Sequence, residues 1–224
     1  MKLLFLGMTI AVYIFTRKLY VRRPYPFMIP SIMSSIVIVT VLLLCRISYE
    51  EYMEGVNIID ELLGAAVVAL AYPLYNQRHI IKSHFIPIIV GTFVGTLLGI
   101  GSGIALSKAF DVEDLLMFSL LPKSVTTPVA MEIASEIGGI PSLAAVLVMV
   151  AGFSGVVFGP MLLKWLRVED PIGVGIGFGC ASHAIGTSKA LEYGEQAGAF
   201  SSVAMTLCAL LASFMAPVMV VLFA

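Results

Sequence analysis

Among the ionisable side chains in the second half of this chain, five are candidates for chemistry at membrane depth: Lys123, Glu132, His183, Lys189 and Glu192. Lys123 and His183 are 60 residues apart, and so are Glu132 and Glu192. Hydroxyls flank each potential cation: Ser124, Thr126 and Thr127 beside Lys123, and Ser182, Thr187 and Ser188 beside His183. A cation among hydroxyl donors, close to helix N-termini exposed by a chain break, suits a small organic anion such as a carboxylate. Each residue also has a structural reading. Lys123 can snorkel to an interface, and His183 can be a hydrogen-bonded packing residue. Glu132 and Glu192 can lie near a membrane face and pair with Lys189 or cap a helix. A proton relay through His183 or the glutamates is a further alternative, because histidine titrates near neutrality. There is no Ser-His-Asp or HExxH arrangement, no Walker loop and no metal-ligand cluster, so neither an enzyme nor a metal or cofactor site is expected. The three cysteines, Cys45, Cys180 and Cys208, lie in apolar stretches without CxxC spacing, and no disulfide framework or zinc site is expected of them.

The surrounding composition says what must position these groups. The chain has 224 residues, 59% hydrophobic and 12% charged, with net charge −1 and mean hydropathy +1.02. A soluble domain is about 45–50% apolar and about 25% charged. The balance excludes an ordinary soluble domain, a disordered chain and a nucleic-acid binder, and leaves an all-α, multi-pass membrane protein in the lipid bilayer. Apolar runs predict full spans near 3–16, 28–45, 58–75, 85–107, 142–163 and 199–223. Two further segments, 113–138 and 172–196, are apolar but interrupted. The expected organisation is a four-helix membrane scaffold over 1–108 and a repeat bundle over 109–224. Met1 and Lys2 lead an apolar run to Phe15 that meets Arg17 and Lys18 without a small-residue cleavage site, so it reads as a first span.

Loop charges orient the spans. Arg17, Lys18, Arg22 and Arg23 place the first loop inside, and Arg78 and Lys82 do the same after the third span. A loop carrying Glu50, Glu51, Glu54, Asp60 and Glu61 fits the outside, as does 108–114, which leaves the N-terminus external. Lys164 and Arg167 follow the span 142–163 and place that end inside. Segment 113–138 then enters and leaves on one face. The alternative is that both interrupted segments cross fully. His79 and His84 read as solvated, and Trp165, Tyr13, Tyr20, Tyr25 and Tyr49 as interfacial anchors.

Shifting the sequence by 60 residues aligns 122–147 with 182–207, and seven of 26 positions are identical, among them Thr127/Thr187, Glu132/Glu192 and Gly138/Gly198. Each copy is an interrupted segment followed by a full span. Pro122 and Pro128 remove backbone donors and prevent a continuous helix. Gly179, Ser182, Gly186, Thr187 and Ser188 loosen the second copy. Non-helical backbone at membrane depth is tolerated where it is buried or lines a watery cavity, and paired interruptions in two halves point to a transporter site. With the first segment re-entrant, the copies are inverted; with both crossing, they are parallel. The inverted arrangement is the expectation. Gly91, Gly95, Gly99 and Gly103 form a helical stripe that either packs a neighbouring helix closely or provides a track for a sliding element. Gly173, Gly175, Gly177 and Gly179, at spacing two, fit no helical stripe and no dinucleotide fingerprint.

The motifs LPKSVTTPVAMEIASEIGG (121–139), GCASHAIGTSKALE (179–192) and VALAYPLYNQR (68–78) resemble the LrgB/CidB family of bacterial membrane proteins, over nearly the whole chain. The resemblance implies a multi-pass protein of the inner (cytoplasmic) cell membrane with holin-like or antiholin-like effects on murein hydrolase activity and cell lysis. It also implies a small LrgA/CidA-like membrane partner. A plant relative that fuses the two parts resembles a plastid glycolate/glycerate transporter, and some bacterial pairs are linked with pyruvate uptake. The motif positions it carries over are Pro122, Thr126, Thr127, Gly138, Gly139, His183, Gly186 and Glu192. The family pattern does not fix lysine at 123, where glutamine also occurs. Two functions follow as expectations: a small-carboxylate transporter subunit, or a regulator of lysis acting through a partner. A homo-oligomer is left open by both.

Overall fold

The computed structural model describes residues 2–22, 30–69 and 71–223. Arg23 and Tyr25 lie outside them. The described residues are helical with no strand: α1 Lys2–Arg22, α2 Pro30–Cys45, α3 Tyr49–Ala69, α4 Ala71–Asn76, α5 Arg78–Ser83, α6 Phe85–Ala109, α7 Asp114–Leu120, α8 Thr127–Glu136, α9 Pro141–Trp165, α10 Pro171–Ala190 and α11 Glu195–Phe223. Four of them are long and apolar enough to cross a bilayer (Leu3–Arg22, Phe85–Ala109, Pro141–Trp165 and Glu195–Phe223), and Met33–Cys45 is a shorter apolar helix. At 1.5 Å per residue, the 25 residues of α6 and of α9 reach about 38 Å, more than the roughly 30 Å hydrocarbon core. The protein is an all-helical membrane protein.

The chain divides into two compact units, residues 1–65 and 66–224. In the first, polar groups inside apolar helices satisfy one another. Thr16 and Ser34 share a buried hydrogen bond of 2.8 Å, and Thr9 pairs with the Tyr52 hydroxyl at 2.8 Å while Phe5 meets the Tyr52 ring edge-on. Two expectations are corrected here. The basic residues Arg17, Lys18 and Arg22 belong to α1, which runs well past residue 16. The acidic residues Glu50, Glu51, Glu54 and Glu61 lie on α3 and not in a loop. The local reason is a cap: Ser48 Oγ accepts from Glu51 N at 3.1 Å in an S-x-x-E pattern, and two acids in the first turn complement the helix dipole.

Four helix ends close in the same way. After α2, α6 and α9 the chain turns left-handed at Arg46, Asp111 and Arg167. In each case the next residue is apolar (Ile47, Val112, Val168) and its N–H reaches back to a carbonyl of the last turn. Gly138 does the same after α8, with Gly139 N bonded to Ala134 O at 2.7 Å. These are Schellman closures. At the other ends, Pro141 and Pro171 open α9 and α10, and Asp170 caps α10 by accepting from Ile172 N and Gly173 N.

In the second unit, contact pairs fix the helix directions. A Cβ added to Gly91 would meet Ile176, and one on Gly95 would meet Cys180, so α6 runs parallel to the first part of α10. Gly152 lies against His183 and Gly159 against Phe178, so α9 runs antiparallel to it. Gly175 faces Ala197 and Phe200, and Gly179 faces Ser201 and Ala204, so α11 runs parallel. Hence α9 opposes both α6 and α11. The end of α6 and the start of α9 lie at one end of the bundle, and the end of α9 and the starts of α10 and α11 lie at the other. The glycine run 173–179 is thereby corrected. At 100° per residue, every second member shares a face, so Gly175 and Gly179 form a stripe against α11 while Gly177 faces elsewhere. His84 is also not merely solvated: it bonds Ser83 Oγ at 2.9 Å and stacks edge-on against Phe200.

Candidate functional site

Both interrupted segments turn back on themselves. In the first, α7 passes into a 3-10 turn over Leu121–Ser124, distorted at Pro122, then into extended backbone at Val125 and Thr126 before α8 begins. Pro122 and Pro128 bracket this break, as the missing donors require. Its returning end meets the last turn of α7: Ile140 N donates to Ser119 Oγ at 2.8 Å, and Gly139 packs on the backbone of Phe118 and Ser119 too closely for a side chain. The tip lies level with the middle of α6, where Lys123 Nζ donates to Gly99 O at 2.8 Å.

The second segment breaks at a single residue. His183 has φ 42° and ψ −132°, a conformation that strains any side-chain-bearing residue. The arm 184–190 returns along 171–182. A Cβ on Gly186 would overlap the Phe178 carbonyl, and Ala190 packs with Val174, Phe178 and Ala197. Only glycine lets the two arms lie this close. Thr187 Oγ1 donates to His183 O at 3.1 Å, which leaves Ser201 to donate to Thr187 at 2.9 Å. These bonds staple the returning arm to the tip and to α11.

Between the first tip and the arm leading to the second lies an open cleft of about 570 Å³. The α6 stripe Gly91, Gly95 and Gly99 forms one wall, and Ala151, Ser154 and Gly155 of α9 form another. Lys123 and Ser124 come from the first tip, and Ile176, Gly177, Cys180 and Ala181 from the arm leading to the second. Lys123 is the one charged side chain among the described lining residues. Its ammonium has three donors, and Gly99 O is its one protein acceptor among the described residues. Glycine at 99 and 103 makes room for it: Cβ atoms there would lie 3.3 Å from Ser124 Oγ and from Lys123 Nζ. The cleft can therefore offer a ligand one cation, the Ser124 hydroxyl and small, mainly apolar walls. A second cavity of about 390 Å³ shares Ser154, Gly155, Gly177 and Ala181 with it and continues along Phe158, Leu162 and Phe178.

The other residues singled out by sequence lie elsewhere. His183 is buried at 3% exposure, its Nε2 3.1 Å from Val148 O and its ring against Gly152. Ser182 is fully buried, lines the second cavity, and its Oγ has no hydrogen-bond partner among the described residues. Thr126 Oγ1 is likewise buried and unpartnered, and Thr127 is half-buried at the start of α8. Lys189 and Glu192 form an ion pair of 2.5 Å at the base of the second hairpin, and Glu132 and Ser188 are exposed. Gly138 and Gly139 close the first hairpin. Sequence reasoning did not single out Ser154, Ala181 or Cys180 as cleft residues. For Cys180 the signal was indirect, in the glycine stripe that faces it at Gly95.

A family model for LrgB-like proteins matches residues 9–222. The chain is 38% identical to the holin-like protein CidB of Staphylococcus aureus (strain N315), over 99% of this chain and 96% of that one. It is 36% identical to holin-like CidB of Staphylococcus epidermidis (strain ATCC 12228), over 96% and 94%. It is 55% identical to the uncharacterised protein YxaC of Bacillus subtilis (strain 168), again over 96% and 94%. No solved structure matches. With the family model and the relatives matched over nearly the whole length, hairpins included, the chain belongs to the LrgB family of membrane proteins.

Proposed function

We propose that this protein is the membrane transporter subunit for a small carboxylate of the glycolate, glycerate or pyruvate type, working in the cell membrane with an LrgA/CidA-like partner. The observation that carries the reading is the meeting of the first hairpin tip and the arm leading to the second at a cleft whose one charge among the described lining residues is the Lys123 ammonium. The opposed directions of α9 and α11 support inverted copies, with 113–138 entering from one face and 172–196 from the other, beside six full spans. Residues 109–224 form the moving repeat bundle in this reading.

An ammonium with free donors and a neighbouring hydroxyl holds a carboxylate by charge-assisted hydrogen bonds. The apolar glycine and alanine walls accept a short carbon chain. Alternating access follows when the two hairpins exchange which end of the cleft they close. His183 positions the second tip in this mechanism. Thr126 and Ser182, with unpartnered hydroxyls at the two breaks, are the groups positioned to gain partners when the tips move.

The test is uptake of radiolabelled glycolate and pyruvate into proteoliposomes, with and without the small partner. Saturable uptake that is lost in Lys123→Ala, with the protein folded, supports the transporter. Absence of uptake of both acids with the partner present overturns it. The second reading is a holin-like or antiholin-like regulator of murein hydrolase activity and lysis, favoured by the names of the staphylococcal relatives. It expects a lysis phenotype that survives Lys123→Ala and is lost when the Gly91–Gly103 stripe is filled with leucine.

A further inference from the structure

Cys180 and Cys208 are both buried, and their Sγ atoms are 3.1 Å apart. Cys180 stands three residues before the break at His183, and Cys208 stands on α11. Neither has a part in holding a carboxylate. Two further observations set this pair apart from ordinary core thiols. Cys180 lines the cleft, so one sulfur of the pair borders the space that solutes enter. Both thiols also border a small cavity under the first tip, shared with Ser124 and Val125. The pair therefore sits at the seam where the two hairpins and α11 meet. Gly179, beside Cys180, brings the helices close, since a Cβ there would lie 2.9 Å from Ala204 Cβ. The two sulfurs stand about 1 Å beyond the roughly 2.05 Å bonding distance of a disulfide.

We infer that Cys180 and Cys208 are a reversible thiol–disulfide site, oxidised by a small hydroperoxide that enters through the cleft. Cys180 Sγ attacks one peroxide oxygen, the O–O bond breaks, and the leaving oxygen departs as water with the thiol proton, leaving a sulfenic acid. Cys208 Sγ then attacks Cys180 Sγ. The S–O bond breaks, and a second water leaves with the Cys208 proton. Two thiols lose two electrons, and hydrogen peroxide is reduced to two waters. A dithiol reverses the reaction by exchange. The bond pins the arm leading to the second tip onto α11. Its effect on uptake rests on the transporter reading; the bond itself does not.

The experiment uses the full-length chain in lipid nanodiscs with Cys45→Ser, which removes the exposed third thiol. Reduced protein is treated with hydrogen peroxide, denatured, alkylated and digested. The expected result is a peptide pair joined through Cys180 and Cys208, lighter by two hydrogens, intramolecular, and released by dithiothreitol. Both thiols still alkylated, under peroxide that fully oxidises Cys45 in the unsubstituted protein, overturns the inference, and so does sulfinic acid at Cys180 in place of the joined pair. In proteoliposomes, peroxide is expected to reduce uptake severalfold, with recovery in dithiothreitol and no response in Cys208→Ser. A formed bond with unchanged uptake overturns the pinning. Reduced protein that transports nothing counts against the transporter, and the peptide result still decides the thiol site.

Discussion

The two hairpin tips are aligned by the 60-residue offset and differ in chemistry. At the first, prolines force several residues out of the helix, and the tip presents Lys123 and Ser124 to an open cleft. At the second, one strained residue makes the whole turn, and that residue, His183, faces inward onto the backbone of α9. The offset of 60 aligns Lys123 with His183, yet one lines the open cleft and the other is buried against α9. A repeat carries over the need to break a helix at membrane depth. It does not carry over which tip supplies the charge, because that depends on what each tip packs against.

The contrast is open to test, and the largest effect is expected in the packing around the tips. A Cβ on Gly155 would overlap Ser182 Oγ, whereas one on Gly99 would lie 3.3 Å from Ser124 Oγ. Gly155→Ala should destabilise the folded protein by about 3 kcal/mol through overpacking. Gly99→Ala should stay within about 1 kcal/mol, because alanine's helix preference offsets a small shift of Ser124. Thermal melts in detergent compare the two, and equal losses would erase the distinction between a closed and an open tip.

Next in size is the charge. Lys123→Ala should raise the KM for carboxylate uptake about 10- to 100-fold, the equivalent of losing one charge-assisted hydrogen bond of about 1.5–3 kcal/mol, with little change in melting temperature. His183→Ala should do the reverse. Uptake per folded molecule should hold within about threefold while stability falls by about 1 kcal/mol, for one lost bond to Val148 O. A KM effect in His183→Ala as large as in Lys123→Ala would make the tips chemical equals.

A finer cut is available at the same residue. Glycine accepts the φ of 42° at position 183 without strain. His183→Gly should therefore melt above His183→Ala, by about 1 kcal/mol of relieved strain. The smallest effect belongs to the ion pair at the base of the second hairpin. Glu192 is 63% exposed, and Glu192→Gln should change stability by no more than about 0.5 kcal/mol, read from the same melts.

Composition alone placed this chain in a membrane, because 27 charged residues cannot clothe a soluble surface of this size. Apolar run length was enough for α6, α9 and α11, since a span must exceed the hydrocarbon thickness whatever it packs against. Pro122 and Pro128 announced the first break because a missing N–H is a property of the residue itself. The sequence misjudged where short-range chemistry competes with hydropathy: the Ser48 cap starts α3 before its apolar run, and the glycine run on α10 splits into two faces. Loop charges favoured a re-entrant first segment, but the packing directions of the helices, the close return of the second hairpin and the separation of Lys123 from His183 were decided only in three dimensions. Each depends on which surfaces meet, as when Gly152 receives the His183 ring and Gly99 receives Lys123. The same holds for Cys180 and Cys208, ordinary apolar cysteines in the sequence that packing brings to 3.1 Å.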